Sequence, residues 1–188
     1  AETFKRAFPP VSWRKLFPIA VSVTIALCGF FYFGPPVFAA IGLSGHKADP
    51  NRRIIQHAEV VEGFDNIRSN IPNTESDFII ALGHRDTASH LAFGLPDQPR
   101  VYRWQPNGKI ISQYEVWKNP IEDGLKGANA LILVNGSEKG LPKELATSFE
   151  SIELLGSYEA RRRYDQVTKH FVFRGINLKR WNEVASPQ

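Results

Sequence analysis

The pattern of apolar and polar positions divides the chain into two unlike parts. From Leu16 to Leu43 no residue carries a charge, a run of 28 positions. About twenty apolar residues suffice to cross a hydrocarbon core of roughly 30 Å, so the run predicts a transmembrane helix with an interfacial segment behind it. Trp13 and the cluster Phe30, Phe31, Tyr32 and Phe33 set aromatics at the two ends, as an interfacial belt requires. Gly34-Pro35-Pro36 predicts the end of the helix or a sharp bend in it, because proline removes a donor and restricts its predecessor. Val37–Leu43 then falls in the far headgroup region. Two other readings fit less well. The apolar run of a cleaved signal peptide spans about 7–15 residues, and a core helix of a domain this small has no need of so long an uncharged stretch.

Beyond the span the periodicity changes. Ser44–Asn51 is a polar linker, and Ile54, Ala58, Val61, Phe64, Ile67 and Ile71 then recur every three or four positions, an amphipathic helix ended by Pro72-Asn73. Phe78–Leu82 is a short apolar run of buried-strand type, and Asp86-Thr87 offers an N-cap to a helix over Ala88–Leu95. Arg100–Trp104 alternates as a strand, Pro106-Asn107-Gly108 is a turn, and Lys109–Trp117 reads as extended again. Ala130–Val134 is a second buried strand followed by the turn signal Asn135-Gly136. Pro142–Phe149 reads as helix. Ser151–Tyr158 and Val167–Arg174 read as strands pairing across the basic connection Ala160–Tyr164. The expectation is an α/β protein: a basic tail (1–15), one N-terminal transmembrane helix with its interfacial segment (16–43), and a mixed-sheet α/β soluble domain (44–188).

Composition narrows this picture. With 188 residues, 43% hydrophobic and 22% charged, the chain is neither collagen-like, coiled-coil nor disordered. The net charge of +4 is concentrated in the tail, where Lys5, Arg6, Arg14 and Lys15 face only Glu2. A near-neutral remainder argues against nucleic acid as a partner. The single cysteine, Cys28, lies inside the span and excludes a disulfide framework and an all-cysteine zinc site. Arg14-Lys15 at the membrane edge, set against Lys47, Arg52 and Arg53 beyond it, favours a cytoplasmic N-terminus and an extracytoplasmic C-terminal domain, periplasmic in a bacterium.

Signals for chemistry are sparse. There is no G-x-G-x-x-G or P-loop, and Ser137 sits one place too early for a nucleophile elbow. His84, Asp86 and His90 form H-x-D-x3-H, but positions six apart on a helix face different ways, so capping and surface roles compete with metal ligation. Asp86, Glu115, Glu122 and Asp123 are the candidates for a carboxylate pair. Gln113, Tyr114 and Trp117 offer a sugar-stacking platform, with packing against the core as the competing role. Arg161-Arg162-Arg163 suits lipid headgroups, an acidic partner or a solvated turn. Asn135-Gly136-Ser137 matches a glycosylation sequon as well as a tight turn. No catalytic, cofactor-binding or metal-ligating residue is assigned.

One stretch carries a family likeness. Ala88-Ser89-His90-Leu91-Ala92-Phe93-Gly94-Leu95-Pro96-Asp97-Gln98-Pro99-Arg100-Val101-Tyr102, followed by Ser112-Gln113-Tyr114-Glu115-Val116-Trp117, resembles two motifs of a C-terminal extramembrane domain. That domain belongs to bacterial multi-span glycosyltransferases of the protein O-mannosyltransferase and aminoarabinose-transferase type, which take sugar from a polyprenyl-phosphate carrier. The order, the spacing and the preceding membrane helix agree, from Asp49 to about Phe149, with His90 and Gly94 standing where the family has Glu and an aromatic. The resemblance places the family's chemistry in a cavity among many membrane spans, which one helix does not enclose. It therefore implies a non-catalytic accessory or structural subunit of a larger membrane complex. The alternative is the C-terminal portion of such a glycosyltransferase. Expected partners are membrane lipid and other membrane-protein subunits, met by Trp13, the small-residue track Ser22, Ala26 and Gly29, and the aromatics Phe30, Phe31, Tyr32 and Phe33. Gln113, Tyr114 and Trp117 are the expected vestigial sugar contacts.

Overall fold

The structure, a computed structural model, describes residues 13–47, 49, 52–74, 76–105, 109–163 and 166–181. The side chains of 13–15, 53–56, 162, 163 and 166 fall outside that description, as do the basic tail and the Pro106-Asn107-Gly108 turn. The chain forms two compact units that divide between Arg52 and Arg53.

The first unit is built on one helix, α1 (Trp13–Ala40). Its Leu16–Ala40 portion is long and apolar enough to cross a membrane, and its most apolar window is not buried against protein. The expectation that Gly34-Pro35-Pro36 ends or sharply bends the helix is half corrected: α1 runs through both prolines to Ala40. Proline's fixed φ is compatible with a helix, although each ring removes a donor and crowds the carbonyl four residues back, those of Phe31 and Tyr32. What ends α1 is a Schellman cap. Gly42 takes φ +72°, its N–H reaches the Ala39 carbonyl at 3.1 Å, and the Leu43 N–H reaches the Phe38 carbonyl at 2.8 Å. The following turn is closed by the Gly45 N–H donating to Asp49 Oδ2 at 2.8 Å.

The second unit is a five-stranded mixed sheet with strand order β2-β1-β3-β5-β4. Its elements are α2 (Arg52–Ser69), β1 (Phe78–Leu82), α3 (Arg85–Gly94), β2 (Val101–Trp104), β3 (Ala130–Asn135), α4 (Lys143–Ala146), β4 (Phe149–Arg163) and β5 (Gln166–Leu178). β1 pairs in parallel with β2 and β3, whereas β5 runs antiparallel to β3 and β4. The mixed-sheet α/β expectation therefore holds. β1 and the first five residues of β3 are buried on both faces, which explains their unbroken apolar runs. On one face Ile79, Ala81, Leu131, Leu133 and Val172 pack beneath Phe64, Ala88 and Leu91. On the other, Ile80, Tyr102, Trp104, Ile132 and Phe173 pack with Leu145, Phe149 and Leu178, and loop residues Ile121, Leu125 and Trp181 cover them. Gly63 lets α2 approach β4, since a Cβ there would overlap the Tyr158 ring, whose hydroxyl donates to the Val60 carbonyl at 2.7 Å.

Several sequence expectations need correction. The stripe of α2 is Val60, Val61, Phe64 and Ile67; Ala58 is exposed, the Ile54 side chain lies outside the described residues, and Ile71 falls beyond the helix. α3 starts earlier than expected and is capped by His84, whose Nδ1 accepts the Asp86 N–H at 3.4 Å. Asp86 instead stands in the first turn, where the helix dipole favours a carboxylate. Lys109–Trp117 is not extended. It folds around a 3-10 turn, Gln113–Glu115, fixed by a capping box between Ser112 and Glu115. Pro142–Phe149 holds a single helical turn, and Phe149 already pairs with Leu178 in the sheet. Arg161 and Arg163 belong to β4 and not to a connection, pairing with Val167 and Gln166.

Candidate functional site

Two concave regions gather polar chemistry, one reached by each face of the sheet. The larger is a cleft of about 660 Å³ beside β2. Its wall is aromatic: Tyr102 and Trp104 from β2, Tyr114 and Trp117 from the folded 109–118 loop, and Trp181 after β5. Trp181 meets Trp104 edge-on at 4.9 Å between ring centroids, and Tyr114 meets Trp117 edge-on at 5.2 Å. Three of the chain's four tryptophans therefore converge here. Among the described residues the Trp104 indole N–H is the buried side-chain polar atom without a hydrogen-bond partner.

The loop that supplies Tyr114 and Trp117 is held by a buried ion pair. Arg103 Nη1 bonds Glu115 Oε1, with the two side chains only 6% and 2% exposed, while Arg103 Nε donates to the Gly83 carbonyl at 2.9 Å. Glu115 Oε2 accepts the Ser112 N–H at 2.7 Å and the Ser112 hydroxyl at 2.8 Å. Burial alone would raise the Glu115 carboxyl, but the bonds from Ser112 and Arg103 outweigh it and hold the pKa below the usual range. Glu122 also lines the cleft and accepts the Asn119 N–H at 2.8 Å. Tyr102 donates to Asp123 Oδ2 at 2.7 Å, and Arg100 pairs with the same oxygen at 2.9 Å while lying over the Tyr102 ring. Burial, reinforced by the bond to Asp123, pushes the Tyr102 phenol up. Lys118, Lys126 and Arg180 also line the cleft, and Arg180 donates to Thr147 Oγ1 at 2.9 Å.

The smaller region, about 370 Å³, lies at the carboxyl end of β3, where Asn135 and Gly136 face His57 and Val60 of α2 and Thr87 and His90 of α3. In open α/β sheets ligands favour crevices of this kind, where successive connections leave a strand to opposite sides. His57 and His90 stack with ring centroids 3.5 Å apart. His170 on β5 stacks on Tyr158 at 5.1 Å, and its Nδ1 shares a 2.8 Å hydrogen bond with Asn135 Oδ1. Burial lowers the His90 pKa against the opposing pull of Asp86, and burial drives His170 down to about 4.

The sequence-expected residues are thus partly brought together. Tyr114 and Trp117 share the aromatic cleft; Gln113 does not line it. Glu115 and Glu122 share it as well, whereas Asp86 sits on α3 beside His84 at 3.0 Å. The H-x-D-x3-H residues part company, since His90 turns to His57, and no trio of His, Cys, Asp or Glu gathers as a metal site among the described residues. Asn135-Gly136 is not a hairpin turn: Gly136, at φ +89°, leads from β3 into a 3-10 turn capped by Ser137. Arg161 pairs with Glu59, and the side chains of Arg162 and Arg163 lie outside the described residues. On α1, Ser22 and Ala26 are exposed and nothing lies within 4 Å of a Cβ built at Gly29. Phe30, Phe31, Tyr32 and Phe33 are exposed there too, while the Trp13 side chain is outside the description. Sequence reasoning missed Trp104, Trp181, Arg103, His57 and His170; the tryptophan count was the one signal pointing to the first two. No known protein family, curated protein or solved structure matches the chain.

Proposed function

We propose that this chain is a membrane-anchored accessory protein, non-catalytic on its own, whose outer domain holds a saccharide in the aromatic cleft as part of a larger membrane assembly. The observation that carries this reading is the cleft itself. Flat indole and phenol faces with hydrogen-bonding groups between them suit the alternating apolar and hydroxyl faces of a sugar ring. Binding is favoured over turnover because the two cleft carboxylates are already committed, Glu115 to Arg103 and Ser112 and Glu122 to the Asn119 N–H. A general acid in glycosyl chemistry needs a carboxyl held protonated, and Glu115 is shifted the other way. In this reading α1 spans the membrane with its N-terminus cytoplasmic, and the outer domain is extracytoplasmic.

A second reading, the C-terminal portion of a multi-span glycosyltransferase using a polyprenyl-phosphate donor, is favoured by one observation. The two motifs that resemble that family, 88–102 and 112–117, contribute Tyr102, Tyr114 and Trp117 to the cleft wall. The two readings differ in where sugar transfer takes place: in the second it needs a cavity among further membrane spans, and the cleft only holds a saccharide.

The test titrates mono- and oligosaccharides against the full chain in nanodiscs while following tryptophan emission. A saturable change that Trp117→Ala weakens about tenfold, equivalent to roughly 1.4 kcal/mol, supports the reading. If no saccharide perturbs emission, or Trp117→Ala binds as wild type, the cleft is not a sugar site. Turnover of a polyprenyl-phosphate-linked sugar by the purified chain would replace the accessory role with the enzymatic one.

A further inference from the structure

In the second unit, seven large apolar side chains are exposed among the described residues: Phe93, Ile110, Ile111, Val116, Trp117, Leu154 and Val167. Five of the seven belong to the end of α3 and to the 109–118 loop, two elements joined by the Ser89–Tyr114 contact. Clusters of this kind on a soluble domain mark a surface that meets something apolar.

The loop is not loosely draped. Glu115 Oε2 gathers the N–H groups of Ile111 and Ser112, Oε1 is bound by Arg103, and Arg103 is tied to Gly83 after β1. The Ser89 and Tyr114 hydroxyls meet at 3.1 Å and pin the loop to α3. Phe93 lies one turn beyond Ser89 on the same helix face and is 81% exposed. A buried ion pair thus stiffens a loop that turns its aliphatic side chains outward.

Charge identifies the occupant. Lys109 and Lys118 flank the loop and are exposed, whereas its one acid, Glu115, is buried in the pair with Arg103. Of the neighbouring acids, Asp97 is paired with Arg68 and Asp123 with Arg100, and exposed Glu122 stands against Lys118 and Lys126 beside it. Exposed aliphatic and aromatic groups beside lysines are the chemistry of an interfacial contact with anionic lipid, and lysine is depleted from protein interfaces. Only residues 41–51 separate α1 from α2, at most about 40 Å of extended chain. A domain tethered so closely to a bilayer needs little intrinsic affinity to rest on it.

We infer that the face formed by Phe93, Ile110, Ile111 and Val116 docks on the surface of an anionic bilayer. The inference rests on α1 being the anchor, and the test separates the two. The full chain in a Cys28→Ser background is labelled with bimane at Val116→Cys or Ile111→Cys and placed in nanodiscs containing phosphatidylglycerol, with and without brominated acyl chains. Val23→Cys in α1 and Leu154→Cys on β4 are the references. Docking by about 5–10 Å into the headgroup and acyl boundary predicts roughly twofold quenching at 111 and 116 and none at 154. That quenching should fall when phosphatidylcholine replaces phosphatidylglycerol or salt is raised, while quenching at 23 stays. Quenching at 23 without quenching at 111 and 116 overturns the docking and leaves the anchor standing. The reverse pattern supports the docking and removes the span. Protection of 111 and 116 from aqueous iodide without bromolipid quenching means that protein covers the face, which also overturns the inference.

Discussion

Helix α1 and the central strands β1 and β3 are written in the same apolar alphabet, yet they solve opposite problems. Every residue of β1 and the first five of β3 are buried by protein on both faces, while Ile19, Val23, Ile25, Leu27 and Phe31 of α1 are exposed. A strand leaves its backbone hydrogen bonds to its neighbours and so must sit inside a sheet. A helix satisfies them within itself and can stand alone in hydrocarbon. Apolar content alone therefore does not say where a segment is buried. The uncharged length and the period separate the two: α1 is long and apolar enough to cross a bilayer, while the strands are short runs buried by protein.

The largest expected effect sets the two regions side by side. Phe64→Ala, at a fully buried position between α2 and the sheet, should lower the stability of the α/β domain by about 3–5 kcal/mol. Phe31→Ala on α1 should leave the denaturant midpoint of that domain unchanged. Equal shifts in chemical denaturation would erase the distinction. Arg103→Met comes next: it strands the Glu115 carboxylate, 2% exposed, at a cost of about 3 kcal/mol. Hydrogen exchange in the 109–118 loop should rise with it, and unchanged exchange would show that the ion pair does not hold the loop.

A pH series sharpens the comparison further. Burial lowers His170 from 6.5 to about 4, so the unfolded chain binds the extra proton first. Stability of the α/β domain should be flat above pH 6.5 and fall progressively as the pH drops toward 4, more steeply than in His170→Gln, while the helicity of α1 in detergent stays constant. A wild-type profile parallel to that of His170→Gln would remove His170 from the account. The smallest effect on the domain is expected from Gly29→Leu, because open space surrounds that position. It should leave denaturation untouched and weaken co-purification of partner subunits, since small residues let membrane helices approach closely. Undiminished co-purification would move the helix contact elsewhere.

Local signals made much of the fold legible. The apolar runs at Phe78–Leu82 and Ala130–Val134, the long uncharged stretch and the terminal hairpin were each visible in a window of neighbouring residues. The failures share a cause. Gly42, not Pro35, ends α1: the helix runs through both prolines and is closed by the cap. The residue pattern makes Lys109–Trp117 extended, yet Ser112 and Glu115 spell a capping box, a local signal that overrides it. In the candidate site, Tyr114 and Trp117 lay in one motif and were found. Trp104, Trp181, Arg103, His57 and His170 are joined only by sheet register and by the return of the chain after β5, and no short window contains that information.

The account depends most on a chain held by one lipid-embedded helix and carrying a separately folded outer domain. Alkaline carbonate extraction of membranes from cells expressing the full chain tests it directly, because alkali strips peripheral proteins and leaves spanning ones. The account predicts that the chain stays with the membrane pellet and is released only by detergent. Recovery in the alkaline wash as a dispersed polypeptide would contradict it.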